Sequence, residues 1–542
     1  MFGISIRRES NKGVSETNPA VNVMDFFTTH IFPELQDFNH NNRPMVKATA
    51  LKFVCTFRNQ FTREQLVALM PLLIKHLSSP NVVVHTFAAY AIERILFTKE
   101  TEAAGATRHK ISGVELQPFL EPLFTGLFHI VDNTEWNENE HVMKCVMRSL
   151  ATAGSDVIPI TGIVFGKLAT ALERVCKNPR NPMFNHYLFE SIAVLVRNVC
   201  SRDPSQTGQL EALLFPPFQT ILQMEIVEFT PYVFQVLAQL LEYRPTGAGL
   251  GDAYTMLFPP LLTPGLWERK GNVPALVRLI QAYLKKAARE LAEQGHLVGI
   301  LGVFQKLVSS KANESSAFEL LTAITMYVPH EAVHNYLNMI FKILLTRLQR
   351  GKTVRYVRLV TNFFALLAGK YGAQVFFDST NQVQPGLALI LLVQVWVPRL
   401  QTDPPLRLDA KTQVVGLTRL LCDTPALLSD ANGKQIWAQA LAAVVTMVTS
   451  PSWSVLTGDD DDQEVEIGYD ATYSGLTFAR KALDDPFAAV ADPIATFVQS
   501  LHSLSTSQPG VINPIIQQGL GSDPKLSSGL QNMFQKSGLQ LA

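Results

Sequence analysis

The hydrophobic positions of this chain fall in paired stripes at helical spacing, with polar turns between them. Leu66, Leu69, Met70, Leu73, Ile74 and Leu77 share one helical face, and Ser78-Ser79-Pro80-Asn81 then turns the chain. Val83, Val84, Phe87, Ala88, Ala91, Ile92, Ile95 and Leu96 form the return stripe. The order repeats at 119–131 with 141–153, at 160–176 with 184–200, and at 210–223 with 229–243. Residues 257–284 show how one unit is built. A short apolar segment is broken by Pro259, Pro260 and Pro264, a polar turn runs from Trp267 to Asn272, and Pro274 opens a second stripe of Leu276, Val277, Ile280 and Leu284. Proline fixes φ and lacks a donor, so these prolines are expected to punctuate helices and not to sit inside them.

A hairpin with one apolar face cannot bury that face alone, so the units must stack. Pro33, Pro71, Pro122, Pro216 and Pro259 sit near the start or middle of first helices, 38 to 94 residues apart, a spacing of one or two units of a HEAT-like array. No segment sustains β-type alternation, so no sheet is expected. The fold class read from this pattern is all-α, an α-solenoid of HEAT-like antiparallel helical hairpins coiling as a right-handed superhelix. A length of 542 residues, too large for one core, agrees. Residues 1–20 are expected to form a flexible lead-in, 21–505 the solenoid with an acidic insertion at about 457–470, and 506–542 a partly helical tail.

Composition narrows the function classes. Lys plus Arg and Asp plus Glu number 46 each, and this neutrality argues against bulk nucleic-acid binding. Cys55, Cys145, Cys176, Cys200 and Cys422 are scattered without metal-type spacing and read as core residues of a reducing compartment. Arg7, Arg8 and Glu9 follow Met1 closely with no apolar core behind them, so no signal peptide is read. Arg7-Arg8-Glu9-Ser10 has the form of a basophilic phosphorylation site but reads as a solvated tail. The longest apolar run, 387–397, contains Gln394 and is too short to span a bilayer, so a soluble intracellular chain without membrane insertion is expected.

Candidate chemistry is sparse. His330-Glu331-Ala332-Val333-His334 matches H-E-x-x-H, in which two imidazoles share a helix face beside a glutamate base. The third ligand is missing: after His334 no glutamate occurs until Glu464 and no histidine until His502, Leu337 stands where an extended motif needs glycine, and Pro329 marks a helix start. Only an aspartate such as Asp378 remains to complete a zinc peptidase site. Gly351-Lys352-Thr353 lacks the earlier glycine of a phosphate loop, because Thr346 stands there, and reads as a helix stop and start. Gly247-Ala248-Gly249-Leu250-Gly251 follows no strand and reads as a linker. No enzyme, cofactor or metal site is expected.

Three charged features suggest protein contacts instead. The turn Trp267, Glu268, Arg269, Lys270 joins two apolar stripes. Between Glu331 and Asp378 no acid occurs, while Lys342, Arg347, Arg350, Lys352, Arg355, Arg358 and Lys370 do. Arg347 with Arg350, and Arg355 with Arg358, are one turn apart, giving either a solvated helical face or a docking strip for an acidic protein. Asp459, Asp460, Asp461 and Asp462, followed by Glu464, Glu466 and Asp470, repel one another and are expected to form a solvated loop or an insertion that meets a basic surface.

Long stretches in fixed order add a resemblance. FRNQ at 57–60, VVHTFAAYAIERIL at 83–96, KNPRNPMFNHYLFE at 177–190, EFTPYVFQVLAQLLE at 228–242, LFPPLLTPGLWERKGNVPALVRLIQAYL at 257–284 and LGVFQKLVSSKAN at 301–313 resemble the exportin-2 family of importin-β-like karyopherins, over about residues 12–504. The resemblance implies an export receptor that binds importin-α with Ran-GTP, returns it from nucleus to cytoplasm, meets nuclear pore proteins and shuttles through the nuclear envelope. Neither His330 nor His334 belongs to a motif of that family. Family chains are about twice as long, and their N-terminal repeats carry the principal grip on Ran-GTP. On this resemblance the chain lacks that half, and its first aromatic cluster, Phe26, Phe27, Ile31 and Phe32, is expected to form an uncapped apolar end. The alternative reading is a HEAT-repeat scaffold without GTPase control.

Overall fold

The computed structural model describes residues 6–8, 15–17, 22–101, 107–245, 247–405, 407–450, 453, 474–480, 484–521 and 523–541. The chain divides into two compact units, Met1–Pro245 with Val465–Arg480, and Thr246–Glu464 with Lys481–Ala542. Each is built from antiparallel helical hairpins, as the paired stripes require.

In the first unit the helices of nine or more residues are α1 (Pro44–Phe57), α2 (Arg63–His76), α3 (Val82–Leu96), α4 (Leu120–Asp132), α5 (Glu140–Ala153), α6 (Thr161–Lys177), α7 (Pro182–Cys200), α8 (Thr207–Gln223) and α9 (Thr230–Tyr243). Odd-numbered helices pack in one row and even-numbered helices in another. Asparagine opens the odd row: the side chains of Asn81, Asn139 and Asn181 accept from main-chain N–H groups at the starts of α3, α5 and α7. Odd helices face neighbours on several sides, so α7 buries nearly its whole circumference, from Phe184 to Cys200. Buried polar side chains stitch that row together. Asn198 Nδ2 on α7 donates to the Leu150 carbonyl on α5 at 2.8 Å, and Gln239 Nε2 on α9 donates to the Ala193 carbonyl on α7 at 3.0 Å.

The second unit repeats the plan with α10 (Asp252–Leu261), α11 (Val273–Glu293), α12 (Leu297–Val308), α13 (Glu314–Tyr327), α14 (Leu337–Arg350), α15 (Val354–Tyr371), α16 (Ala373–Val383), α17 (Arg407–Cys422), α18 (Ala431–Thr449), α19 (Pro493–Ser507), α20 (Ile512–Leu520) and α21 (Pro524–Lys536). Here α11, α13, α15, α17 and α19 form the continuous row, and α20 and α21 pack against α18. The same stitching recurs: Tyr371 OH donates to the Thr325 carbonyl at 2.9 Å, and Gln413 Nε2 to the Thr361 carbonyl at 3.2 Å. α15 and α17 approach closely at Gly416, where a Cβ would collide with the Ala365 backbone.

Three expectations change. Pro259 and Pro260, expected to punctuate helices, lie inside one, while Pro274 is at a helix start and Pro71 and Pro216 lie within first helices as expected. α10 ends at Pro260–Leu261, and the Leu262 and Thr263 N–H groups close back on the Pro259 and Pro260 carbonyls at 3.1 Å, so these two prolines fall where the helix is already finishing. Two short antiparallel ribbons occur where no sheet was expected: β1 (Ile6–Arg8) pairs with β2 (Ser15–Thr17), and β3 (Lys99–Thr101) with β4 (Thr107–His109). Three-residue strands are too short to show alternation, and Glu100 on β3 is held by Arg63 and by Arg108 Nε at 3.2 Å. The aromatic cluster is also not bare. Phe27 and Ile31 are buried, Phe26 stacks on Phe53 with ring centroids 5.6 Å apart, and Phe27 meets Phe61 edge-on at 4.8 Å. Separately, a 38-residue stretch, Glu140–Lys177, has the length and apolar content to cross a membrane. It is broken at Gly154, whose φ of 55° leaves the helical region, and its α5 half packs against α3 and α7.

Candidate protein-interaction site

The turn after α10 is held from within. Pro264–Trp267 form a 3₁₀ turn, Trp267 is buried, and its indole Nε1 donates to the Leu261 carbonyl at 2.8 Å. Asn272 Nδ2 reaches the Leu266 carbonyl at 3.1 Å and Lys306 Nζ the Pro264 carbonyl at 3.0 Å. Trp267 is therefore a packing residue and leaves the set of contact candidates. Glu268, Arg269 and Lys270 project outward, with Glu268 3.9 Å from Lys306.

The cationic strip on α14 and α15 is smaller than its sequence suggests. Arg347 is buried: its guanidinium pairs with Glu314 on α13 and lies 4.9 Å from the Tyr356 ring centroid, so it is structural and not part of a docking face. Arg358 grips Asp403 with Nε at 3.0 Å and Nη2 at 2.6 Å. That contact holds the Asp403 carboxyl below the usual carboxylate range. Arg355 donates to Ser315 Oγ at 3.1 Å from Nε. Arg350, Lys352 and Arg355 remain exposed along the edge where α14 ends and α15 begins. Sequence counting missed the acids because they come from neighbouring repeats, 33 residues away for Glu314 and 45 for Asp403.

Other candidates resolve simply. Asp459, Asp460, Asp461 and Asp462 lie outside the described residues. His330 and His334 share a five-residue helix, where the His330 ring packs on Tyr371 at 4.3 Å. Among the described residues no three of His, Cys, Asp and Glu gather into a metal-binding group. All five cysteines are free, and burial pushes Cys176 up to about 11 and Cys422 up to about 12, which keeps these thiols protonated. Thr353 caps α15, with its Oγ1 accepting from the Tyr356 N–H at 3.2 Å, so Gly351-Lys352-Thr353 is a helix stop and start. Gly247, Gly249 and Gly251 all have positive φ, in the linker that follows α9.

The most elaborate polar site was not signalled by any motif. In the first unit, residues 474–480 lie across α7 and α9. Gln235 on α9 donates from Nε2 to the Ser474 carbonyl at 3.1 Å, and its Oε1 accepts from the Leu476 N–H at 2.8 Å. Gln239, one turn on, donates to the Phe478 carbonyl at 3.1 Å. Glu190 on α7 accepts from the Thr477 N–H at 2.6 Å and the Phe478 N–H at 3.1 Å. The Arg197 guanidinium sits 4.6 Å from the Phe478 ring centroid. Glu190, Gln235 and Gln239 are each no more than 2% exposed. Burial pushes the Glu190 carboxyl up to about 7 against the pull of the two N–H groups and of Arg197. His186 Nε2, 3.9 Å away, also faces it, and His186 Nδ1 bonds Tyr232 OH at 3.2 Å. The available signal was one carboxylate and two amides inside helices that are mainly apolar.

In the second unit the chain after 483 is held in the same manner. Asp484 meets Lys285 Nζ at 2.5 Å and the Tyr327 hydroxyl, and Asp485 meets Lys411 Nζ at 2.5 Å. Phe487 packs between Leu366 and Val415, filling the space that a Cβ on Gly369 would need, 2.5 Å from its ring.

Comparison with known proteins places this arrangement. Residues 93–530 match the family model described as CAS/CSE protein, C-terminus, and residues 1–92 match the one described as Cse1. Exportin-2 of Danio rerio is 37% identical over 534 residues, covering 98% of this chain and 54% of the relative. Exportin-2 of Homo sapiens is 36% identical over 516 residues, covering 94% and 52%. The chain thus spans about half the length of the curated relatives it matches. The structure of the exportin Cse1 in its cargo-free, cytoplasmic state superposes with a TM-score of 0.81 at 27% identity, over 98% of this chain and 53% of that one. A crystal structure of importin beta, with a TM-score of 0.62 at 12% identity over 98% of this chain and 61% of that one, shares the fold.

Proposed function

Because this chain belongs to the CAS/CSE protein family, we propose that it forms part of a nuclear transport receptor of the exportin class. The receptor binds importin-α together with Ran-GTP, carries it from nucleus to cytoplasm, and passes the nuclear envelope by contacts with nuclear pore proteins. The observation that carries this reading is the match to Exportin-2 along 98% of the chain, at 37% identity. Coupling follows if importin-α and Ran-GTP favour the same arrangement of the repeats, for then each raises the affinity of the other. The relatives are transport receptors and not enzymes.

On this reading the helical stack offers cargo a wide interface. The exposed cations Arg350, Lys352 and Arg355, with Arg358 beside them, meet an acidic partner surface, and Glu268, Arg269 and Lys270 form a second polar contact. Asp459, Asp460, Asp461 and Asp462 supply a complementary acidic element. Retention of this chain on immobilised importin-α, with and without Ran-GTP, tests the proposal. Retention strengthened by Ran-GTP supports it, retention indifferent to Ran-GTP favours a scaffold free of GTPase control, and no retention in either condition overturns it for this part of the receptor.

A further inference from the structure

Residues 474–480 are bound as a ligand is bound. Five hydrogen bonds join Glu190, Gln235 and Gln239 to main-chain N–H and C=O groups of the segment, and the Thr477 side chain adds one to Glu190. The segment has no helix or strand of its own, only a turn closed by the Arg480 N–H on the Thr477 carbonyl at 3.3 Å. Its two large apolar side chains are both enclosed. Leu476 is 1% exposed and Phe478 is 3% exposed beneath Arg197. The seat belongs to helices more than two hundred residues away in sequence, with separations of 239 to 288. It is a preformed part of the helical row, since Gln239 also stitches α9 to α7. Amides and a carboxylate that read a main chain, with pockets for alternate side chains, are the ingredients of peptide recognition.

We propose that Glu190, Gln235 and Gln239 form a peptide-reading groove, that residues 474–480 occupy it as a built-in competitor, and that it admits in trans a peptide carrying leucine and, two residues later, phenylalanine. The occupant is specified by the segment already seated there. Main-chain bonds tolerate varied sequence, while the pockets of Leu476 and Phe478 demand those two side chains. Tethering gives the segment an effective concentration in the millimolar range, so a free peptide of similar intrinsic affinity is excluded until the segment leaves.

The test uses the whole chain and a fluorescent peptide, Ser-Gly-Leu-Thr-Phe-Ala-Arg, followed by anisotropy. The release variant Leu476→Ser with Phe478→Ser empties the groove in cis and is expected to bind the peptide at least about ten-fold more tightly than the wild type. Adding Gln235→Leu to that variant is expected to abolish the gain, and a scrambled peptide is expected not to show it. A folded release variant that binds no better than wild type overturns the proposal. If the variant does not fold, hydrogen exchange of the wild-type chain decides: excess peptide should accelerate exchange of the Leu476, Thr477 and Phe478 amides at least about ten-fold, and unchanged exchange overturns the proposal.

Discussion

The polar seat on α7 and α9 and the cationic edge of α14 and α15 make opposite use of charge. The edge is conspicuous in sequence, yet its buried member, Arg347, serves the fold by pairing with Glu314, and Arg358 is engaged by Asp403. The seat is nearly silent in sequence, yet its three buried side chains hold another stretch of the chain by its backbone. A polar group inside a helical stack is costly unless its partner is fixed, so its presence marks a specific contact. An exposed cation carries no such requirement and says little by itself.

The strongest way to sharpen this contrast is to delete a buried and an exposed cation from the same helix. Arg347→Ala leaves the Glu314 carboxylate buried and unpaired, and should cost about 3–5 kcal/mol, seen as a fall in the unfolding midpoint. Arg350→Ala should leave the midpoint unchanged, and equal effects would dissolve the distinction. Next comes pH. The Glu190 carboxyl is raised from 4.5 to about 7 in the fold, so the folded state holds its proton more tightly than the unfolded state. The associated stability is present below pH 4.5 and is lost as pH rises to about 7, roughly 3 kcal/mol in all. Glu190→Gln should flatten that part of the stability profile measured between pH 4 and 8, and a parallel profile would show that Glu190 is not the group responsible.

Gln235→Leu should have a smaller effect, about 1–3 kcal/mol, by stripping partners from Ser474 and Leu476. Mass-resolved hydrogen exchange should show lost protection at the Leu476 amide, and retained protection would mean that Glu190, Gln239 and the two pockets hold the segment without Gln235. The mildest effect belongs to the edge. If the chain binds importin-α as proposed, Arg350→Glu with Lys352→Glu and Arg355→Glu should slow that association several-fold at low salt and flatten its salt dependence without changing the midpoint. Unchanged association returns the edge to a solvated face.

The helical pairs were legible because their apolar stripes are long and strictly periodic. The 66–77 and 83–96 stripes fall on α2 and α3, and the later pairs agree equally closely. Proline placement was less legible, since chemistry that discourages proline inside a helix tolerates it where a helix is ending, as at Pro259 and Pro260. The β3–β4 ribbon was invisible because its register depends on three residues per strand and on Arg63, from a different helix. For the site, the exposed Glu268, Arg269 and Lys270 were readable from turn chemistry, whereas the burial of Trp267 and Arg347 was not. Their neighbours arrive from other repeats, at sequence distances that no local window spans.

The stitches between row helices have a further consequence. Their donors and acceptors lie 46 residues apart for Gln239 with Ala193 and for Tyr371 with Thr325, and 48 apart for Asn198 with Leu150. Such bonds act like the teeth of a gear. Removing part of a hairpin would turn every later helix out of phase with the carbonyls it must meet, while removing a whole hairpin would leave the teeth engaged. The arithmetic of these bonds thus favours growth and shortening of the chain by complete repeats, and confines length variation to the loops that carry no stitch.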